Sequence, residues 1–210
     1  MKHLHDISPL IDEDLAVWPG DTSFSFVDQL RIEEGAPVHL STLTLSCHTG
    51  AHADAPGHYI AGAAGIDAVP LEPYLGPCRL FDVRPADGRI RPADLEGCEI
   101  DAPRVLFRTR DGGDRTVFPD PFTCLTPELV DWLADRGVIL IGLDTPSVDL
   151  VDSKDLPCHK ALFRHGIVNL ECLQLEGVPA GRYELIALPL RLKGRDASPV
   201  RAVLRELDNG

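Results

Sequence analysis

A chain of 210 residues that is 44% hydrophobic and 25% charged has the composition of a globular protein with one full-sized core. Its net charge of -13 excludes the basic surface that phosphate backbones require, so nucleic acid is not an expected partner, and no polybasic segment suits a membrane surface. No apolar run approaches the ~20 residues of a spanning helix, and the polar start Met1-Lys2-His3-Leu4-His5-Asp6 is unlike a signal peptide, so the expected location is the cytoplasm.

In chain order, Trp18 precedes Pro19-Gly20-Asp21, which places it on a turn. Eighteen Gly and eighteen Pro cut the chain into short elements, and no repeat or linker divides it; a single domain over residues 1–210 is expected. Apolar runs bounded mostly by Gly, Pro or Asp predict strands at residues 78–83, 104–108, 138–143, 167–170 and 185–188. Several are apolar on both alternating faces, as buried central strands are. Residues 87–99 and 110–121 read as surface loops. A helix starts at Thr126: the hydroxyl caps it, Pro127 suits the first helical position, and Glu128 suits the positive end of the dipole. Leu129, Val130 and Leu133 form its apolar stripe and Gly137 ends it. A second short helix is expected over residues 160–164. Strands outnumber helices, so the expected class is mixed α/β.

His48, His52, Asp54 and His58 lie within one run, His-Thr-Gly-Ala-His-Ala-Asp-Ala-Pro-Gly-His. Imidazole and carboxylate at this density suit a borderline divalent metal, and two imidazoles with one carboxylate make a three-ligand set. All four positions are even, so a regular strand would put them on one face. Full extension, however, separates His48 from His52 by roughly 13 Å, too far to share one ion. Gly50, Pro56 and Gly57 argue against a helix. A bent loop is expected, with Gly50 turning it, Ala51, Ala53 and Ala55 packing closely, and Pro56 fixing its exit.

A second cluster follows the strand ending at Leu143: Asp144, Thr145, Ser147 and Asp149, then Cys158 and His159, then Asn169 and Glu171. His159 would begin a helix and Glu171 would end a strand, so both could point into one pocket. With the first run they make a set large enough for two ions. The six cysteines, Cys47, Cys78, Cys98, Cys124, Cys158 and Cys172, form no Cys-x-x-Cys pair and read mainly as small apolar residues or idle thiols. Cys47 and Cys158 adjoin ligand-type residues and are the two that could coordinate metal.

The pattern His48, Gly50, His52, Asp54, Pro56, His58 resembles that of the metal-dependent cyclase superfamily, with Ala51 where many members carry Thr. Within it the chain is similar to the bacterial-type kynurenine formamidases. Asp6-Ile7-Ser8-Pro9-Leu10, Val17-Trp18-Pro19-Gly20-Asp21-Thr22 and Leu143-Asp144-Thr145-Pro146-Ser147 share in the likeness, as do His159 and Glu171. The resemblance implies a β-barrel-like mixed sheet flanked by helices and a homodimer. It also implies two zinc ions, one held by His48, His52 and Asp54 and one by Asp54, His159 and Glu171. By the same likeness His58 is the proton donor and acceptor, and Trp18 touches the substrate. The implied activity is hydrolysis of N-formyl-L-kynurenine to L-kynurenine and formate, in tryptophan degradation, by metal-activated water. His and carboxylate ligands admit manganese or cobalt as well as zinc. Two other readings stay open: a superfamily hydrolase for isatin or a cyclic amide, and a non-catalytic metal-binding protein. A serine hydrolase is excluded, because no Gly-x-Ser-x-Gly elbow occurs.

Overall fold

Alternation along the central strands sets the layers. The computed structural model describes residues 3–207 and contains, in chain order, strands β1 (Leu4–Asp6), β2 (Ser25–Leu30), β3 (Leu40–Thr44), β4 (His52–Asp54), β5 (Leu75–Asp82), β6 (Arg89–Ile90), β7 (Arg104–Arg108) and β8 (Cys124–Leu125). Helix α1 (Pro127–Ala134), strand β9 (Leu140–Leu143), helix α2 (Pro157–His165) and strands β10 (Val168–Glu171), β11 (Gly181–Ile186), β12 (Ala197–Pro199) and β13 (Val203–Glu206) complete it. In β7, Leu106 joins one core while Val105 and Phe107 join the other. In β9, Leu140 and Ile141 divide the same way. These strands are apolar on both faces because each face is covered.

Nine strands form one sheet in the order β1-β13-β11-β5-β7-β9-β10-β4-β12, strongly curled into a half-barrel. The centre, β5-β7-β9-β10, is parallel, and the pairs outside it are antiparallel. This is the mixed, barrel-like sheet expected. Both helices pack on one side, through Leu129, Val130 and Leu133 of α1 and Ala161 and Leu162 of α2. The other core holds Ala51, Ala53 and Ala55 together with Leu80, Leu170 and Leu204.

Thr126 caps α1 as expected, its hydroxyl accepting the Leu129 N–H. Helix α2 is longer than the expected 160–164, since Pro157 and Cys158 form its first turn. Strand β7 matches its expected bounds, and β5, β9 and β10 match theirs within a few residues. The strand expected at 185–188 lies earlier, at Gly181–Ile186. There Tyr183 and Leu185 are buried while Arg182 and Glu184 alternate with them on the outer face, so it is half-buried, not an all-apolar run. The loop expected at 87–99 contains β6 and a 3-10 turn, Pro92–Leu95, and β6 pairs in parallel with β8. Residues 110–121 form a loop, as read. Strands β2 and β3 stand apart as a hairpin that leaves Phe26, Val27, Leu40 and Leu43 exposed.

Candidate metal centre and active site

The ligand-type residues converge because β4 lies between β10 and β12. His52 is opposite Glu171 on one side and Pro199 on the other. Odd-numbered Ala51, Ala53 and Ala55 point into the core, so His52 and Asp54 share the opposite face. The bent-loop expectation is therefore corrected for residues 52–54, which are extended. A three-residue strand flanked by Gly and Pro is too short to show a period. The bend lies just before it, where Gly50 takes φ +66°. A side chain there would crowd Ile11, with Cγ1 only 3.1 Å from the added carbon. This turn returns His48 to the cluster: its ring centre lies 4.9 Å from that of His52.

Among the described residues three groups of three side chains lie close enough to hold a metal ion: a shallow one, His48, His58 and Asp196, and two deeper ones, His48, His52 and Asp54, and Asp54, His159 and Glu171. Asp54 belongs to both of the deeper groups. Its Oδ1 is 3.2 Å from His48 Nδ1 and 3.5 Å from His52 Nε2, and its Oδ2 is 3.5 Å from His159 Nε2. Glu171 approaches His52 Nε2 at 3.5 Å and His159 Nε2 at 3.6 Å. These separations are long for direct hydrogen bonds and short for independent groups. His52 Nε2 and Asp54 Oδ1 are buried without any hydrogen-bond partner. Orphaned polar atoms are costly, and two that face one another across a ligand group are what an ion between them would satisfy. No cysteine joins any of the three groups; Cys158 is buried with its thiol donating to the Leu125 carbonyl.

A buried frame supports the cluster. Asn169 donates through Nδ2 to Asp54 Oδ2 at 2.8 Å and to Glu171 Oε1 at 3.0 Å, holding the two carboxylates side by side. The Val148 N–H donates to Glu171 Oε1 at 3.1 Å. His52 Nδ1 faces the Gly50 carbonyl at 2.9 Å, which directs Nε2 inward. Asp149 does the same for His159, with Oδ2 2.7 Å from Nδ1. It also accepts the backbone N–H groups of Cys158 and His159, in place of the cap that Leu156 cannot supply. The arrangement is the carboxylate-histidine pairing that orients metal ligands.

The electrostatics agree. Burial alone would lower the His159 pKa, but Asp149, Asp54 and Glu171 outweigh burial and push it up to about 12. His52 is raised in the same way, with burial again opposed, by Cys172, Glu171 and Asp54. Asp54 is held well below the usual carboxylate range: burial opposes this, and His159, His48 and His52 overcome it. The metal-free centre thus gathers positive charge around its buried carboxylates, the task a cation would perform.

The cluster forms the floor of a pocket of about 650 Å³. His58 stands at its side with its ring 35% exposed, on the 3-10 turn Pro56–His58. Burial, partly countered by Asp54, lowers its pKa below the ordinary histidine value. Trp18 lines the pocket, 37% exposed on the expected turn, which the Asp21 N–H closes onto the Trp18 carbonyl. Phe118 meets its ring edge-on at 5.3 Å. The structure thus brings together all seven residues singled out in the sequence. Sequence reading gave no separate task to Asp149 or Asn169 and overlooked Asp196, whose carboxylate lies 3.0 Å from His48 Nε2.

Comparison with known proteins accords with this geometry. The Cyclase family model matches residues 5–150, more than half of the chain. The chain belongs to the Cyclase family. Among curated family relatives, the kynurenine formamidase of Bordetella pertussis (strain Tohama I) is 50% identical over 208 residues, covering 99% of this chain and 100% of that protein. The kynurenine formamidase of Polaromonas naphthalenivorans is 49% identical over 203 residues, covering 96% and 90%. A solved structure described as a "potential metal-dependent hydrolase with cyclase activity" superposes with a TM-score of 0.85 at 30% identity, covering 99% of this chain and 100% of its own. Isatin hydrolase A from Labrenzia aggregata shares the fold at a TM-score of 0.80 and 23% identity, covering 97% and 93%.

Proposed function

We propose that this chain is an arylformamidase that hydrolyses N-formyl-L-kynurenine to L-kynurenine and formate, a step of tryptophan degradation. The observation that carries the reading is the full-length identity of about half to kynurenine formamidases. The site supports it, because cleaving an anilide at neutral pH needs both an activated water and a proton for the departing nitrogen. His48, His52 and Asp54 would hold one ion and Asp54, His159 and Glu171 a second, with zinc the reading for both and manganese or cobalt admitted by the ligand set. Bound divalent ions supply Lewis-acid polarisation of the formyl carbonyl and lower the pKa of water.

The chain's own residues do the rest. With its pKa depressed, His58 is neutral near pH 7 and can take a proton. Its Nδ1 is turned toward Asp196, at 3.7 Å, so Nε2 is the atom left to move that proton. Water adds to the formyl carbon, the carbon–nitrogen bond breaks, and His58 returns the proton to the aniline nitrogen. This transfer is worth on the order of 10²–10⁴ in rate. Trp18 offers its face to the aminophenyl ring, with Phe118 bracing it from the edge. Arg110 and Glu176 line the same pocket, and neither makes an ion pair among the described residues. They supply a cation and an anion for the amino-acid end of the substrate.

The reading places the enzyme in the cytoplasm as a homodimer. Among the described residues no helix is long and apolar enough to cross a membrane. Dimerisation would cover the exposed apolar residues of the β2–β3 hairpin, which would be marginal in water alone. The deciding experiment measures N-formyl-L-kynurenine turnover before and after chelation, with zinc or manganese added back and isatin assayed alongside. Turnover of the formyl amide that is lost on chelation and restored by metal is expected. No turnover of it by the metal-loaded protein would overturn the assignment.

A further inference from the structure

We propose that Asp196 is a positioning residue: one carboxylate that orients both the proposed metal ligand His48 and the proposed proton carrier His58. The inference rests on the functional reading above. A single oxygen, Oδ2, lies 3.0 Å from His48 Nε2 and 3.7 Å from His58 Nδ1. The opposite nitrogen of His48, Nδ1, faces Asp54 at 3.2 Å. His48 therefore sits between two carboxylates, one on each ring nitrogen. Donation from Nε2 to Asp196 leaves Nδ1 unprotonated and turned toward the ligand group, the tautomer that coordination needs. The His58 ring lies against the His48 ring, with centres 4.4 Å apart and planes tilted by 47°. A carboxylate on its Nδ1 side fixes which nitrogen of His58 is presented to the pocket.

The placement of Asp196 is built into the backbone. Its carbonyl accepts the Ala55 N–H, and the Arg195 carbonyl accepts the Ile66 N–H, both at 2.8 Å. The Gly194 N–H donates to Asp67 at 2.7 Å. A Cβ on Gly65 would lie 2.8 Å from Gly194 Cα, so only glycine at 65 lets the two segments approach. The segment carrying His58 is thus stitched at both ends to the one carrying Asp196. The Asp196 side chain is 48% exposed, yet it makes no ion pair with a Lys or Arg among the described residues. Among the described residues the only ion-pair partners of Asp196 are His48 and His58.

The test compares D196N, D196A and D196E with the parent protein in three measurements. These are steady-state kinetics on N-formyl-L-kynurenine at saturating zinc, zinc content per chain, and zinc affinity by competition with a chromophoric chelator. In D196N, kcat should fall about 10- to 100-fold with KM within about twofold, and zinc affinity should fall about tenfold at unchanged stoichiometry. D196A should match or exceed those losses, and D196E, which keeps the charge, should recover part of kcat. Parent-like kcat and zinc affinity in D196N would overturn the proposal, as would a D196E no better than D196N. Loss of one zinc per chain at saturation would make Asp196 a ligand and also overturn it. If the parent protein turns over no formyl amide, the functional reading fails, while the zinc-affinity comparison still decides whether Asp196 orients His48. Unfolding of the metal-free D196N protein should match the parent, separating orientation from folding.

Discussion

Replacing Asp149 by Ala should cost far more stability than replacing an acid with a similarly ideal but exposed partner. Asp149 is 2% exposed and accepts the Cys158 N–H at 2.9 Å, the His159 N–H at 3.0 Å and the His159 ring at 2.7 Å. Its removal strands two N–H groups at the start of α2, where Leu156 offers no replacement. Losing a cap costs about 1 kcal/mol, and losing a buried charge-assisted hydrogen bond about 1.5–3 kcal/mol. Allowing for non-additivity, the expected loss is about 3 kcal/mol, or roughly 6–12 °C in Tm for a chain of this size. The control is Asp6→Ala, which removes the ion pair to Arg201 from a carboxylate that is 44% exposed. That pair is worth at most about 1 kcal/mol. The assay is thermal unfolding of both variants with metal removed by chelator. Equal shifts in the two variants would refute the argument that burial decides the value of Asp149.

Four further expectations concern the site and the surface. His58→Ala should abolish formyl-amide hydrolysis while elemental analysis finds parent metal content; unchanged turnover would remove His58 from catalysis. Asp54→Ala should lower metal content, because Asp54 belongs to both of the deeper groups; full retention would contradict a bridging role. The metal-free protein should lose stability as pH rises. The folded His159 pKa of about 12 lies above an unfolded value of about 6.5, so the folded state binds more protons in between. Its contribution is complete below pH ~6.5 and declines above it, so Tm of the metal-free protein should be lower at pH 9 than at pH 6, with a shallower slope in His159→Gln. A parent slope that is flat, or identical to that of His159→Gln, would contradict this. Finally, V27D with L43D on the exposed hairpin should convert a dimer to monomers in light scattering; an undisturbed dimer would place the interface elsewhere.

The legibility of the chain followed element length. Helix α1 was readable because capping hydroxyl, proline and apolar stripe act locally and agree, and the Thr126 hydroxyl does accept the Leu129 N–H. Strands β7 and β9 were readable because burial on both faces leaves a continuous apolar run. Strand β4 was not, since three residues flanked by glycine and proline carry no periodic signal. It is held extended by β10 and β12, which come from more than a hundred residues downstream. The two-residue strands β6 and β8 were hidden for the same reason.

For the site, the identity of the donor atoms is a property of residue types, so His48, His52, Asp54, His58, His159 and Glu171 could be named from the chain. Their grouping could not. That Asp54 lies between two sets of candidate ligands depends on a register that pairs His52 with Glu171, and sheet register is a long-range choice. The service of Asp149 to His159, and of Asp196 to a histidine 148 residues away, rests on side chains that look like ordinary surface acids in one dimension. Local chemistry set which residues could bind a metal, because coordination is a property of side-chain type. Packing of distant strands settled which of them meet and which carboxylates hold them, because orientation exists only between surfaces that folding has brought together.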